Sequence, residues 1–238
     1  MQQKKNIHSI ILARGGSKGI KNKNLKLING KPLLYWSINS SLKSKLIQNT
    51  WVSSDSNKIL NFAEKYGAKI IKRPKNLSGD KNSSESGWLH ALNEIEKEKK
   101  VKVDCIVGIQ NTSPLRLKND LDDALIKFFN YNYDSMFACT FKHDIFFSWI
   151  LKNKRIKSNY KIFKRPLRQK MDNFILENGS FYIFKSKKFR KLKNRLFGKI
   201  GFFQQNVFSS FQIDDEEDFS LLKTLMESKL IKKKYNLN

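Results

Sequence analysis

Over its first 140 residues the chain alternates short β-like runs with helical patterns, an order that points to parallel βαβ units. Ile7 to Ala13 reads as a buried strand leading into a glycine-rich loop. Pro32 suits the first turn of a helix in which Leu34, Ile38 and Leu42 recur at helical spacing. Thr50 to Ser53 reads as a strand, followed by a helix with Ile59, Leu60, Phe62, Ala63 and Tyr66 on one side and Gly67 at its end. Ala68 to Ile71 and Val103 to Ile109 read as strands flanking a helix over Ser83 to Lys97. Asn119 is placed to cap a helix with the stripe Leu121, Ala124, Leu125 and Phe128, and Ser135 to Phe141 is the next strand.

The alternation then breaks. Residues 142–178 carry strand-like fragments and many basic side chains but no long helical stripe, which suggests an inserted subdomain or arm within a single domain spanning 1–238. Order resumes with a strand at Ser180 to Phe184 and a final helix carrying Phe219, Leu222, Leu225 and Met226. At 238 residues the chain is long enough for one substantial core.

Lys and Arg total 47 against 21 Asp and Glu, a net charge of +26, which raises the question of a polyanionic partner. The stretches 152–170 and 185–199 are basic without acidic residues, yet the rest of the chain is Lys-rich as well, as expected of a solvated basic surface. None of the signatures of zinc fingers, basic zippers or RNA-recognition strands is present, so no specific nucleic-acid partner is expected. Cys105 and Cys139 match no metal or redox spacing and read as buried free thiols, which fits a reducing cytoplasm. The N-terminal apolar run is interrupted by His8 and Ser9 and leads to Arg14, unlike a signal peptide. No apolar run approaches the roughly 20 residues of a membrane span.

The loop after the first strand, Ala13, Arg14, Gly15, Gly16, Ser17, Lys18 and Gly19, carries the strongest chemical signal. A glycine-rich turn at the C-terminal end of a first strand lets backbone N–H groups approach a phosphate, and Arg14 and Lys18 add positive charge there. It matches neither the Walker A spacing nor the dinucleotide fingerprint. In context, the run ILARGGSKGIKNKN from Ile11 to Asn24 resembles the nucleotide-binding signature of the acylneuraminate cytidylyltransferases, the CMP-sialic acid synthetase family. Further stretches match in order: SSDS, YGA and RPKNLSGD within Ser53 to Asp80, QNTSPLR from Gln110 to Arg116, and NGSFYI from Asn178 to Ile183.

The resemblance implies an α/β fold: a Rossmann-like, mostly parallel sheet flanked by helices, of the nucleotide-diphospho-sugar transferase type, with a small inserted dimerisation arm. It implies a homodimer in which the arm of one subunit reaches the sugar pocket of the other, and substrates that are CTP and an acidic nine-carbon sugar. Arg14 and Lys18 would neutralise the CTP phosphates, with Asn24, Arg73, Asn82 and Ser84 lining the nucleotide site. Gln110, Arg168 and Tyr182 would face the sugar. Asp55 reads instead as a cap for the helix after it.

The implied cofactor is magnesium or manganese. The family presents two aspartates separated by one residue, whereas here Gln212 stands in the first position and Asp214 in the second. Asp214 to Asp218 is a dense acidic run that also suits the first turn of a helix. A second departure is Ile145, near His143 and Asp144, where proline is often found. The residues also admit two rivals: a cytidylyltransferase for the eight-carbon acid KDO, against which QNTSPLR and NGSFYI weigh, and a non-enzymatic basic protein binding an anionic polymer through residues 152–199.

Overall fold

The computed structural model describes residues 5–17, 19–141, 148–167 and 175–237. Lys18, Arg168 and the His143–Ile145 stretch therefore lie outside the described residues.

Seven strands form the central sheet. β1 (Ile7–Leu12) lies between β4 (Asn49–Ser54) and β6 (Cys105–Gln110), parallel to both, and β5 (Lys69–Lys72) adds parallel to β4 at one edge. On the other side of β6 comes β10 (Ile175–Lys185), antiparallel to β6 and to β7 (Ser135–Phe141), and β11 (Ile200–Gln204) closes the far edge parallel to β7. The order is β11-β7-β10-β6-β1-β4-β5, so one antiparallel strand is embedded in an otherwise parallel sheet. A two-stranded turn, β2 (Leu27–Ile28) and β3 (Lys31–Pro32), follows the glycine loop. The helices are α1 (Leu33–Leu42), α2 (Asn57–Lys65), α3 (Ser84–Lys99), α4 (Asp120–Asn130), α5 (Ser186–Leu192), α6 (Glu216–Glu227) and α7 (Lys229–Tyr235).

The strands are apolar on both faces because both are covered. Ile11, Val52, Val107, Ile109 and Ile183 pack with Leu34, Ile38, Leu121, Leu125 and Phe128 on one side. Ile10, Trp51, Ile106 and Phe184 pack with Trp88, Leu92, Ile95 and Phe189 on the other. A third cluster joins Ile20, Ile28, Leu33 and Trp36 to Ile213, Phe219, Leu222 and Met226, which seats the C-terminal helices against the segment after the glycine loop. Cys105 and Cys139 are free and buried, as expected, and burial pushes the Cys139 thiol up to about 11.

Several local expectations are corrected. Pro32 stands just ahead of α1, closing the β2–β3 turn, and Leu33 opens the helix. Asn119 holds the cap position of α4 without a capping side-chain bond; the Asp120 carboxylate instead accepts from the Leu117 amide at 2.9 Å. The strand expected at Ser180 reaches back to Ile175, so the last residues assigned to the insert belong to the central sheet. The rest of the irregular region contains an exposed hairpin, β8 (Trp149–Lys152) and β9 (Arg155–Ser158). Gly179, with φ of +66°, sits where the β10 register shifts between Glu177 and Tyr182, a left-handed conformation that a side chain would oppose.

Candidate active site

In open α/β sheets, ligands gather beyond the C-terminal ends of the parallel strands. Here a cleft of about 510 Å³ opens at that edge, lined by residues following β1, β5 and β6 and by the segment leading into α6. Of the residues expected there, Arg14, Ser17, Asn24, Arg73, Asn82, Ser84, Gln110 and Asp214 line it.

The glycine loop is fixed from several directions. Ala13 is buried and donates its amide to the Ser53 carbonyl at 3.0 Å. The Gly15 amide donates to Asp55 Oδ1 at 2.8 Å. Asp55 was expected only to cap α2. Ser56 occupies that cap position, and the aspartate instead braces the loop. Gly16 is not a lining residue and has open space around its missing side chain. At Gly19 a Cβ would stand 2.2 Å from the Asp214 carbonyl, so only glycine lets the loop approach this segment so closely. Asn24 is buried; its Nδ2 donates to the Arg14 carbonyl at 2.8 Å and its Oδ1 accepts from Asn111 at 2.7 Å. Asn24 therefore shapes the loop that carries Arg14.

Arg14 reaches across the mouth of the cleft to Asp80, with Nη1 and Oδ1 2.5 Å apart. Arg73 is no exposed loop cation: it is 5% exposed and donates from Nε to Ser78 at 2.9 Å. Burial lowers its guanidinium from the usual range, partly countered by Asp55. Asn82 ties residues 76–82 together, accepting from the Gly79 amide and donating to the Asn76 carbonyl, both at 2.9 Å.

Sequence reading missed Lys23, a third cleft-lining cation. Its Nζ donates to the Ile213 carbonyl at 2.8 Å; burial lowers its pKa, with Asp214 opposing that shift. Its place in a signature otherwise read for Arg14 and Lys18 was the available signal. The acidic run divides by geometry. Asp215 and Asp218 form a capping box at the start of α6, and Glu216 pairs with Lys26, while Asp214 faces the cleft beside Gln212. Gln212 donates from Nε2 to the Asn178 carbonyl at 2.9 Å.

Of the residues expected to face a sugar, Gln110 ends β6 and lines the cleft with Trp88. Tyr182 does not line it: it is buried behind Trp88, with the Arg195 guanidinium 4.8 Å from its ring centre, and burial pushes its hydroxyl up to about 12. Arg116, of the QNTSPLR stretch, is buried and donates from Nη2 to the carbonyls of Gln110 and Ser180, both at 2.7 Å. It locks the end of β6 to the middle of β10. Burial drives its pKa down to about 9, with Asp120 opposing.

The donor set at Asp214 bears on a metal. Among the described residues no group of three His, Cys, Asp or Glu side chains gathers to hold an ion alone. Magnesium commonly takes one or two carboxylates and completes its shell with phosphate oxygens and water. A carboxylate and an amide lining one cleft fit an ion that arrives with a nucleotide.

Comparison with known proteins agrees with this geometry. The fold is shared with a solved CMP:2-keto-3-deoxy-manno-octonic acid synthetase complexed with CTP, at a TM-score of 0.67 and 16% identity, covering 92% of this chain and 98% of that one. In sequence the chain is 35% identical over 187 residues to N-acylneuraminate cytidylyltransferase A of Danio rerio, covering 77% of this chain but only 42% of that protein. The chain thus spans less than half the length of that relative. It is 32% identical over 224 residues to the CMP-N,N'-diacetyllegionaminic acid synthase of Campylobacter jejuni, covering 92% and 94% of the two chains. Residues 8–236 match the family model described as cytidylyltransferase, and the chain belongs to that family.

Proposed function

We propose that this protein transfers CMP from CTP to the anomeric hydroxyl of a sialic-type nonulosonic acid, releasing pyrophosphate. The observation that carries the reading is the gathering of Arg14, Lys23, Arg73 and Asp214 in one cleft at the C-terminal edge of the sheet. Both substrates are anionic, so a site for them must first neutralise charge, and a phosphoryl-type transfer is catalysed mainly by positioning and electrostatic stabilisation. The near-full-length relationship to a legionaminic acid synthase supports a nine-carbon acid over the eight-carbon alternative.

In the reaction, the anomeric oxygen of the 2-keto acid forms a bond to the α-phosphorus of CTP. The bond from that phosphorus to the bridging oxygen breaks, pyrophosphate leaves with the electron pair, and the hydroxyl proton passes to solvent or a base. Arg14, released from Asp80, and Lys18 would draw the β- and γ-phosphates toward the glycine loop. Lys23, beside Asp214, would meet charge on the α-phosphate, each such contact contributing a few kcal/mol, where about 1.4 is tenfold in rate. Magnesium or manganese held by Asp214, with the Gln212 amide oxygen near, would polarise the phosphates.

Within the same reading the protein acts as a homodimer through the inserted arm. The hairpin β8–β9 and the segment after it expose Ile150, Leu151, Ile156, Phe163 and Leu167, an apolar surface that a second copy would cover, and Arg168 would then meet an anionic group of the sugar. No described helix is long and apolar enough to cross a membrane. The enzyme would act in the cytoplasm and supply activated sugar for lipopolysaccharide or capsule assembly.

The test is pyrophosphate release with CTP against a panel of sialic, legionaminic, pseudaminic and KDO acids. Turnover with a nonulosonic acid and a weak response to KDO support the assignment. No turnover, with tight and steeply salt-dependent binding to nucleic acid, would replace it with a polyanion-binding role.

A further inference from the structure

The basic stretch 185–199 reads from sequence as solvated surface, yet one of its members is built into the wall behind the cleft. Arg195 follows α5 and projects onto the first turn of α3, where its Nε donates to Glu85 Oε1 at 2.6 Å and its Nη2 to Oε2 at 3.0 Å. This is the two-pronged arrangement that a guanidinium makes with a carboxylate. The planar group also lies against two neighbouring aromatic rings, 5.0 Å from the centre of Trp88 and 4.8 Å from that of Tyr182. Its orientation is thus fixed by a carboxylate and two rings, leaving Nη1 directed at Gln110.

At Gln110 the hydrogen-bonding neighbours decide which way the amide turns. With both ends satisfied, Nε2 donates to the Gly179 carbonyl at 3.0 Å and Oε1 accepts from Arg195 Nη1 at 3.2 Å. The opposite orientation sets oxygen against the Gly179 carbonyl and the NH2 group against a cation. A glutamine at the rim of a cleft, without such a neighbour, presents a donor or an acceptor with equal ease.

We propose that Arg195, held by Glu85, is a positioning residue for recognition of the sugar acid: it fixes the Gln110 amide with its second Nε2 hydrogen available as a donor to an acceptor oxygen of the sugar. Arg195 does not line the cleft, so its action runs through Gln110. The inference rests on the proposed function for the identity of the substrate, but the amide orientation stands on the geometry alone. The chemical class selected is a sugar acid that offers a hydroxyl or acyl carbonyl oxygen as acceptor at this wall.

The experiment is a double-substitution cycle with steady-state kinetics on the full chain. Arg195→Lys is expected to raise KM for the sugar acid about tenfold, equivalent to about 1.4 kcal/mol, while KM for CTP stays within about twofold. Added to Gln110→Ala, it is expected to raise the sugar KM no further, because the group it orients is gone. Effects that multiply, or a CTP KM that rises in step with the sugar KM, overturn the proposal. Glu85→Gln, which keeps the side-chain shape and releases the guanidinium, should give the same split. Should the arginine variant not fold, the glutamine one carries the test. Independently of turnover, the Gln110 side-chain amide resonances in 15N-labelled protein should move on Glu85→Gln, and unmoved resonances overturn the orientation. A wild-type protein inactive on every nonulosonic acid sinks the proposed function, and the amide resonances still decide the positioning.

Discussion

The Gly15 amide donates to the Asp55 carboxylate at 2.8 Å, so the glycine loop is tied to the segment between β4 and α2 before any nucleotide arrives. Hydrogen bonds to charged groups contribute roughly 1.5–3 kcal/mol, and preorganisation of a phosphate-binding loop is where such energy matters for rate. Asp55→Ala is expected to lower kcat/KM for CTP about tenfold, with a change of only a few degrees in Tm. A rise in kcat/KM instead would show that the carboxylate competes with phosphate for this amide.

Lys23 donates its ammonium to the Ile213 carbonyl, and the Asp214 charge acts on it. If it meets charge that develops during transfer, Lys23→Met should reduce kcat about a hundredfold while KM for CTP changes far less. Lys23→Arg should recover part of the loss. A raised KM for CTP with kcat unchanged would mark ordinary ground-state binding instead.

The pairing of Gln212 with Asp214 makes a definite statement about metal dependence. Gln212→Asp is expected to lower the magnesium concentration for half-maximal rate several-fold, since a second carboxylate joins the donor set. Asp214→Asn should raise it steeply. An unchanged magnesium titration in both variants would remove the metal from this position.

His8 couples stability to pH. The Trp51 indole N–H donates to His8 Nδ1 at 3.2 Å, and His8 Nε2 lies 2.9 Å from Asn6 Oδ1, a pattern that requires the neutral ring. Burial, with Lys69 and Lys99 nearby, lowers its pKa from 6.5 to about 4. The unfolded chain therefore binds more protons between about pH 6.5 and 4, and stability falls as the pH drops through that window. The loss is on the order of 3 kcal/mol by pH 4. His8→Gln should flatten this slope when Tm is followed from pH 7 to 4.5, and an equally steep slope in the variant would place its origin elsewhere.

Much of this molecule was legible in its sequence because the relevant forces are local. The βαβ alternation is a pattern of apolar periodicity, and strands buried on both faces read as continuous apolar runs. The glycine loop and the residues Arg14, Arg73 and Gln110 stand next to strand ends, so finding the strands found them. What escaped were features whose partners are distant in sequence. Lys23 gains its meaning from Asp214, Gly15 from Asp55, and Arg195 from Glu85, 110 residues away.

The same reason explains the corrections. Tyr182 alternates along β10 to the face covered by α3, which puts it behind Trp88 and out of the cleft. The acidic run at α6 held two meanings that sequence could not separate, because helix capping and cleft lining both favour carboxylates. Only the chain path, which sets Asp215 and Asp218 on the helix end and Asp214 against Gly19, divides them. The sequence by itself determined the layers and the strand ends. The tertiary structure decided which charges share the cleft, since that depends on where strands side by side in the sheet, but far apart in the chain, bring their loops together.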